Sequence, residues 1–337
     1  MLKTKSTLKC ISFAVVVSLI LSIVAALGPS TAYASNSSYY FSSSTGNDST
    51  GNGSISSPWK TLSRISSMTF QPGDTIFLKR GDTWNETVTL NGNSSSASPI
   101  TLTSYGSSGD RPYIIGPDDN SSACITIPSG SQGWSIQNIE MGYAKYGINI
   151  VGDTGVLSTK NYYDIANCYI HNCVNRNWGS SGADFTNWGR AIGTEKASGS
   201  QQFRITNMSI NNCILDSNDT AYFTQSTAAG VSNLTISGCT ISNGKFNQVT
   251  VTGGSNCDMI NCMFDHNGTG SAIYGLTSVI YQLVDGGAGV NVWFQEMSLD
   301  GNKILSEVTA VDLTLNSHAM EYRSLIIISM TVLVKVY

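Results

Sequence analysis

A short phrase of alternating apolar and polar residues returns four times in the second half of the chain. It covers residues 165–172, 210–218, 236–243 and 260–267 and reads IANCYIHN, INNCILDSN, ISGCTISN and INCMFDHN. Each copy holds one marker cysteine, and these cysteines are 45, 26 and 23 residues apart. A period of about 22 residues, counted twice across the first step, is typical of a solenoid. The pattern therefore predicts an all-β fold, a parallel β-helix.

The alternation within each copy explains how this fold would be stabilised. Every second residue of a strand points to the same side, so the Ile and Cys positions can face the interior while Ser, Thr and Asn face water or form turns. One copy cannot bury its own apolar face, but copies stacked about 4.8 Å apart form a continuous core. We expect the asparagines that end the copies to align and form an amide ladder.

The N-terminal segment has the features of a secretory signal peptide. Three lysines within the first nine residues precede an apolar run over residues 11–27, and Ala32-Tyr33-Ala34 follows as a small-x-small cleavage site. We expect export with cleavage after residue 34 and no membrane insertion afterwards. An uncleaved membrane anchor is the alternative, because the apolar run approaches the length of a membrane span.

The rest of the chain divides into three regions by composition. Residues 35–116 combine a Ser, Asn and Gly-rich segment with short apolar strands, which predicts an N-terminal cap and the first coils. Residues 117–302 contain the β-helix repeats. Residues 303–337 lack the Asn and Gly punctuation and end in an apolar run. We expect this divergent tail to be a truncated or frame-shifted reading, because a solenoid needs a polar cap at its far end.

Charge and cysteine content limit the partners. The chain has 18 Lys and Arg against 22 Asp and Glu, and loss of the leader with three lysines leaves 15 against 22. This balance disfavours a nucleic-acid partner, which would need clustered positive charge. Seven cysteines follow the leader, an odd number, and four share one slot of the repeat. We expect an interior column of free thiols, with a disulfide framework as the alternative and no zinc spacing.

The N-terminal strands carry a resemblance to a known family. The runs YYFSSSTGND (39–48), PWKTL (58–62) and PGDTI (72–76) resemble the start of secreted bacterial right-handed β-helix proteins of the pectate-lyase-like superfamily. The resemblance implies a single-stranded, right-handed parallel β-helix that acts on acidic polysaccharides. In its calcium pectate lyases, clustered aspartates hold Ca²⁺ and a Lys or Arg is the base. The chain departs from these branches because it has no DDGW run, no NADGF run and no paired hydrolase aspartates.

Alignment on the marker cysteines predicts a stripe of charged residues. Three residues after the cysteine come His171, Asp216, Ser242 and Asp265, and six residues after it come Asp219 and Lys245 among others. Our hypothesis is that Asp216, Asp219 and Asp265 line an acidic groove that can bind Ca²⁺, with Lys245 as the base and His266 contacting substrate. The alternative is an exposed Asp219–Lys245 pair and aspartates that bond to their own turns.

A second candidate lies between the Cys168 and Cys213 copies. This excursion contains Arg176, Trp178, Trp188 and Arg190. Loops on a rigid solenoid often carry binding, Trp offers an apolar plate to a sugar ring, and Arg grips a carboxylate through two hydrogen bonds. We assign substrate binding to Arg176, Trp178 and Trp188, and a second base or clamp to Arg190. The alternative is that the tryptophans only cover the side of the coil.

These observations predict a monomeric, secreted polysaccharide-degrading enzyme. A lyase that cleaves a uronic-acid polymer such as pectate by β-elimination is the first hypothesis, because cations, carboxylates and a base are the groups that this reaction needs. The alternatives are a non-catalytic β-helix for glycan binding or cell-surface attachment, and a β-helix glycoside hydrolase.

Overall fold

The structure is a computed structural model that describes residues 36–153, 158–175, 188–195, 203–224, 231–246, 248–251, 255–265 and six short strands between residues 272 and 328. The predicted signal peptide and most of the predicted tail lie outside the described residues. The described chain contains 28 strands and one short helix, α1 (Ser63–Ser66). Among these residues, no helix is long and apolar enough to cross a membrane.

The strands are short, and most contain between three and six residues. In chain order they are β1 (Ser38–Phe41), β2 (Thr69–Phe70), β3 (Thr75–Lys79), β4 (Thr83–Trp84), β5 (Val88–Thr89), β6 (Asn91–Gly92), β7 (Ile100–Tyr105), β8 (Tyr113–Ile115), β9 (Ala123–Ile127), β10 (Trp134–Gln137), β11 (Glu140–Gly142), β12 (Tyr146–Val151), β13 (Ser158–Ala166), β14 (Tyr169–His171), β15 (Arg190–Glu195), β16 (Phe203–Asn211), β17 (Ile214–Asp216), β18 (Thr220–Thr224), β19 (Val231–Ser237), β20 (Thr240–Ser242), β21 (Val249–Thr250), β22 (Ser255–Asp265), β23 (Ala272–Leu276), β24 (Ser278–Leu283), β25 (Asn291–Phe294), β26 (Met297–Leu299), β27 (Asn302–Ile304) and β28 (Leu325–Ile328).

Three parallel sheets run along the solenoid, and each turn of the chain contributes one strand to each. The first sheet contains β1, β3, β7, β10, β13, β16, β19 and the first half of β22; the second contains β4, β8, β11, β14, β17, β20 and the second half of β22. The third contains β5, β9, β12, β15, β18, β21, β23 and β25. The fold is a right-handed parallel β-helix, as predicted, the hand that such crossovers nearly always take.

We number the coils from the N-terminal end, so that β10–β11–β12 is coil 3, β13–β14–β15 coil 4, β16–β17–β18 coil 5 and β19–β20–β21 coil 6. Strand β14 pairs directly with β17, so Tyr169 lies beside Ile214. The 45-residue step between the first two cysteines is therefore one coil with an excursion, and the expectation of two turns was wrong. The predicted region boundary at residue 116 falls inside coil 2, which β7, β8 and β9 form.

The core is built from register partners that stack inward from the first two sheets. Each of these side chains is at most 2 % exposed, in the columns Ile136–Ile165–Ile210–Ile236 and Met141–Ile170–Leu215–Ile241. Burial of such side chains stabilises the fold by roughly 1.5–3 kcal/mol each. The alternation seen in the sequence therefore supplies a continuous apolar interior.

The marker cysteines form an interior column at the corner between the first two sheets. Cys168, Cys213, Cys239 and Cys262 are all buried, and each is followed by a residue whose N–H bonds to the preceding coil. All seven cysteines from Cys124 onward are free thiols. The prediction of stacked free thiols is therefore confirmed, and the disulfide framework is not observed among the described residues.

Asparagines form a ladder, but at a different corner from the predicted one. The amide of Asn207 donates to Asn161 at 2.8 Å, that of Asn233 donates to Asn207 at 2.9 Å, and that of Asn256 donates to Asn233 at 3.1 Å. These residues lie within the strands of the first sheet. Of the asparagines at the ends of the copies, Asn172 contacts the ring of His171 and Asn243 donates to Asp216, while Asn218 bonds to the backbone of Ile170 and Cys173. The last of them, Asn267, lies outside the described residues.

Both ends of the described chain add strands to the coils. At the N-terminal end, β1 pairs in parallel with β3, while Leu62 and Ile65 of the α1 region enter the core. At the far end, β28 from the predicted tail pairs antiparallel with β24. The parallel stacking thus ends in an antiparallel strand.

Candidate functional site

The strand register places the predicted stripe on neighbouring coils. His171, Asp216, Ser242 and Asp265 are successive partners on the second sheet. The first three alternate with inward-facing Ile170, Leu215 and Ile241, so the side chains of His171, Asp216 and Ser242 lie on the outer side. Asp219 and Lys245 lie further along, at the corner that leads to the third sheet. The observed register matches the sequence alignment. The surroundings of Asp216 on the second sheet nevertheless differ from those of Asp219 and Lys245 at the corner.

Asp219 is a buried anchor rather than an exposed groove residue. It is 0 % exposed, and its Oδ2 accepts the N–H of Asn175 at 2.8 Å and the N–H of Gly189 at 2.9 Å. Asn175 precedes residues 176–187 and Gly189 closely follows them, so one carboxylate fixes both ends of the excursion. Burial raises the pKa of Asp219, while the two backbone donors and Lys245 act in the opposite direction.

Lys245 and Trp188 lie at the same corner. The Nζ of Lys245 is 3.5 Å from Oδ1 of Asp219, and its side chain is 50 % exposed. Phe246 stacks on Trp188 with ring centroids 4.3 Å apart and an interplanar angle of 10°. Trp188 is only 7 % exposed, so its ring covers the side of the coil and is not presented to solvent. We call Trp188, Gly189, Asp219, Lys245 and Phe246 the corner.

Arg190 directly follows the corner and begins β15 on the third sheet. It is 0 % exposed, so a charged side chain is buried here. Its guanidinium carbon is 5.4 Å from the ring centroid of Tyr146 in coil 3, and the Lys145 ammonium is 5.1 Å from the same ring. Gly193 makes room for this side chain, because a Cβ there would lie 2.8 Å from Cδ of Arg190.

A carboxylate completes this arrangement at the other end of β15. The hydroxyl of Tyr146 donates to Oε1 of Glu195, and the amide of Asn149 donates to Oε2 at 2.9 Å. We call Lys145, Tyr146, Asn149, Arg190 and Glu195 the Arg190 cluster. Sequence reasoning found only Arg190 among them, since its partners come mainly from the preceding coil.

The electrostatics of the Arg190 cluster favour a fixed cation beside a proton donor. Burial lowers the pKa of Arg190, and Tyr146 and Glu195 oppose this shift. Arginine starts from so high a pKa that the guanidinium stays charged at neutral pH. Burial also raises the pKa of Tyr146, so its phenol stays protonated. The cluster can therefore bind an anion and supply a proton.

Asp216 faces away from this site, on the second sheet. Its Oδ1 accepts from the hydroxyl of Ser242 and the amide of Asn243, both at 2.7 Å, and its Oδ2 accepts from Ser217 at 3.1 Å. Burial acts to raise the pKa of Asp216, but the hydrogen bonds from Asn243, Ser242 and Ser217 outweigh it and lower the pKa. Asp216 is thus an ionised carboxylate held by side-chain donors.

The predicted aspartates do not fit a shared calcium ion. Asp219 is turned into the corner and bonded to backbone donors, whereas Asp216 points outward and is bonded to hydroxyl and amide donors. For Asp265, only the backbone is described. Among the described residues, no group of three or more His, Cys, Asp or Glu side chains is arranged to hold a metal ion.

The structure also brings together a cluster that sequence reasoning missed. The Nε2 of His171 lies 3.2 Å from Oε1 of Glu140, and the imidazole stacks on Tyr169 with centroids 4.4 Å apart. Tyr113 and Tyr143 also contact the ring, at 5.5 and 5.7 Å between centroids. We call Tyr113, Glu140, Tyr143, Tyr169 and His171 the tyrosine–histidine cluster. Alignment of coil 3 on Ile139, which takes the place of the marker cysteine, would have placed Glu140 beside Tyr169.

Three predicted binding residues, Arg176, Trp178 and His266, lie outside the described residues. Of the predicted site, the structure therefore brings Trp188, Asp219 and Lys245 together at the corner with Arg190 next in the chain. Asp216 is separated from them on the second sheet.

No family model matches the chain, and no curated protein matches it. Similarity is found among solved structures. The GH136 lacto-N-biosidase from Eubacterium ramulus, as its selenomethionine derivative, is 16 % identical with a TM-score of 0.54 over 75 % of this chain and 57 % of that chain. Its native form is 15 % identical with a TM-score of 0.50 over 70 % of this chain and 51 % of that chain.

A pectate lyase, Pel9A, is 14 % identical with a TM-score of 0.38 over 77 % of this chain and 78 % of that chain. At this level of identity, the likeness to the lacto-N-biosidase establishes the shared fold. The chain spans a little over half the length of the lacto-N-biosidase structures.

Proposed function

We propose that the chain is a secreted polysaccharide-degrading enzyme, a lyase that cleaves a uronic-acid polymer by β-elimination at the Arg190 cluster and the corner. The observation that carries this proposal is the buried Arg190 guanidinium held over Tyr146, whose hydroxyl donates to Glu195. Burying an ionised group costs free energy, and such groups concentrate at functional sites. Solved structures named as polysaccharide lyases and a lacto-N-biosidase share the general architecture, which is compatible with this class of substrate.

The positive charges suit an acidic substrate. In β-elimination, the proton beside the uronate carboxylate becomes acidic only when the carboxylate is neutralised. Arg190 supplies a planar fork of donors that matches a carboxylate, and Lys145 and Lys245 add positive charge in coils 3 and 6. Because Arg190 and Tyr146 are buried, the substrate reaches them only after the groups that cover them move aside.

The two proton transfers have candidate groups nearby. Lys245 is half exposed, and its amine is the candidate base that takes the proton from the carbon beside the carboxylate. A carbon–carbon double bond forms and the bond to the leaving sugar oxygen breaks. Tyr146, protonated because burial raises its pKa, donates its proton to that oxygen.

Calcium has no assigned step in this proposal. A hard cation would supply charge neutralisation if bound, but Asp216 and Asp219 are engaged by protein donors in different places. Arg190 and Lys145 take this role instead. We therefore expect cleavage to persist when calcium is removed by a chelator.

Incubation of the purified protein with pectate, alginate and glycosaminoglycans, with and without Ca²⁺, tests the proposal. The expected result is a rise in ultraviolet absorbance from the unsaturated product on at least one polymer, lost in Lys245→Ala and kept in the surface variant Lys79→Ala. New reducing ends without absorbance would identify a hydrolase instead. Binding without either signal would identify a non-catalytic glycan-binding protein. Secretion is tested separately by the N-terminal residue of protein recovered from the medium, expected at residue 35.

A further inference from the structure

The tyrosine–histidine cluster lies on a different sheet from the proposed catalytic site and carries a different charge. Its carboxylate Glu140 is joined on the same sheet by Asp216, which the next coil places beside His171. The described cations closest in sequence, Arg111 and Lys145, are directed elsewhere: Arg111 donates to the carbonyl of Asn167, and Lys145 lies over Tyr146. An anionic polymer would therefore be repelled here.

Tyr143 is held on this surface in a strained backbone conformation. It has a φ of 56°, and in the next three coils the same turn position is held by Asn172, Ser217 and Asn243 with φ between 53° and 54°. Asn tolerates this left-handed conformation, whereas a bulky aromatic residue there is strained. The tyrosine nevertheless leaves its side chain 39 % exposed. Strained positions persist where a function requires the side chain.

Two hydrogen-bonding groups of the cluster lack a full set of partners among the described residues. The Tyr113 hydroxyl is buried and has no hydrogen-bond partner among the described residues. Glu140 uses Oε1 for His171, which leaves Oε2 as an acceptor within the part of the chain that the structure describes. Buried polar groups in folded proteins nearly always have a hydrogen-bond partner. Sugar hydroxyls both donate and accept, so they can satisfy Tyr113 and Glu140 together.

We propose that the second sheet carries a binding surface for a neutral polysaccharide, in which the Tyr143 ring stacks on a sugar unit while Glu140 and Tyr113 bond to its hydroxyls. Exposed Ile214 in coil 5, also 39 % exposed, extends the apolar strip toward the next coils. The proposal is independent of cleavage, since no group of the Arg190 cluster or the corner belongs to it.

Affinity electrophoresis of the full chain in gels that contain galactan, arabinoxylan, β-glucan or mannan tests this proposal, with polygalacturonate as the charged counterpart. At least one neutral polymer is expected to retard the protein. Tyr143→Asn should weaken that association roughly five- to tenfold, the size expected for loss of one stacked ring. Its melting temperature should stay the same or rise, because Asn is the residue that other coils use in this turn.

Tyr162→Asn is the matched control. Tyr162 also has a positive φ, 67°, and aligns with Asn207, Asn233 and Asn256, but it lies on the first sheet. It should retain full affinity. The proposal is overturned if none of the four neutral polymers retards the protein, if Tyr143→Asn binds like the unaltered chain, or if Tyr162→Asn loses as much. Because these gels measure binding alone, failure here leaves the lyase assay unaffected, and a silent lyase assay leaves this result unaffected.

Discussion

The tyrosine–histidine cluster and the Arg190 cluster both draw residues from coils 3 and 4 but differ in chemistry. Coil 3 contributes Glu140 to the tyrosine–histidine cluster and Tyr146 to the Arg190 cluster. Coil 4 contributes His171 to the first cluster and Arg190 to the second. The first is rich in aromatic rings and carboxylate, and part of it is exposed. The second centres on a fully buried cation beside the excursion of coil 4. A solenoid can therefore present separate chemical surfaces, because each coil contributes one strand to each of three sheets.

The difference also shows where each surface obtains its rigidity. In the tyrosine–histidine cluster, Tyr113, Glu140, Tyr169 and His171 lie on strands whose positions the sheet register determines, and Tyr143 lies in the turn after β11. The Arg190 cluster follows a corner that depends on one carboxylate, Asp219, to fix the ends of residues 176–187. Strands carry most members of both clusters, but only Arg190 directly follows an excursion, and groups beside an excursion can respond to a substrate. The predictions below test this contrast.

The largest expected effect is on the second sheet, from Gly142→Ala. A Cβ at Gly142 would lie 2.4 Å from the backbone oxygen of His171, so the two strands would have to separate. We expect a loss of about 3 kcal/mol in the free energy of unfolding, measured with urea. Gly193→Ala in the Arg190 cluster meets only side-chain atoms, with Cδ of Arg190 at 2.8 Å, and should cost about 1 kcal/mol. Equal losses of unfolding free energy in Gly142→Ala and Gly193→Ala would show that the two surfaces do not differ in rigidity.

The next effect concerns cleavage and separates the clusters by function. Arg190→Ala should lower kcat/KM on the uronic-acid polymer about 100-fold, because it removes the group assigned to the substrate carboxylate. Arg190→Lys keeps the charge but not the planar fork and should lose about tenfold. Retardation by neutral polysaccharide should not change in either variant. Full activity in Arg190→Lys would show that charge alone is needed, and full activity in Arg190→Ala would remove Arg190 from the mechanism.

A third test addresses the anchor of the excursion. Asp219→Ala leaves the N–H groups of Asn175 and Gly189 without their acceptor, and buried donors of this kind cost about 2 kcal/mol in total. Asp216→Ala removes bonds on a partly exposed surface and should cost under about 1 kcal/mol. Urea unfolding of the two variants measures the difference. A smaller loss for Asp219→Ala than for Asp216→Ala would show that Asp219 does not anchor the corner.

The fold and register could be predicted from the sequence because they depend on local repetition. The marker cysteines and the Ile positions recur at fixed offsets, and the same offsets set which residues become partners on neighbouring coils. This is why His171, Asp216, Ser242 and Asp265 were aligned correctly. The resemblance of residues 39–76 to known β-helix proteins indicated the hand of the helix.

The surroundings of each aligned residue could not be predicted in the same way. Asp216 and Asp219 are three residues apart, yet one points outward and the other into a corner, because the chain changes sheets between them. Arg190 meets Tyr146 across 44 residues of sequence, and no repeat marks Tyr146. The stack of Trp188 on Phe246 depends on where the excursion returns. Such contacts depend on how segments that are distant in sequence meet in the folded chain, and the sequence period does not specify this.

The smallest effect is in the pH dependence of stability, where the two aspartates should act with opposite sign. The pKa of Asp216 is lowered in the folded state, so its contribution is present above its unfolded pKa and is lost as pH falls through the folded value. Asp216→Asn should therefore flatten the fall in the urea midpoint below about pH 4. The pKa of Asp219 is raised, so its ionisation opposes folding as pH rises, and no flattening on the acid side is expected from Asp219→Asn. An unchanged acid limb in Asp216→Asn would mean that Ser242, Asn243 and Ser217 do not lower the pKa of this carboxyl in the folded protein.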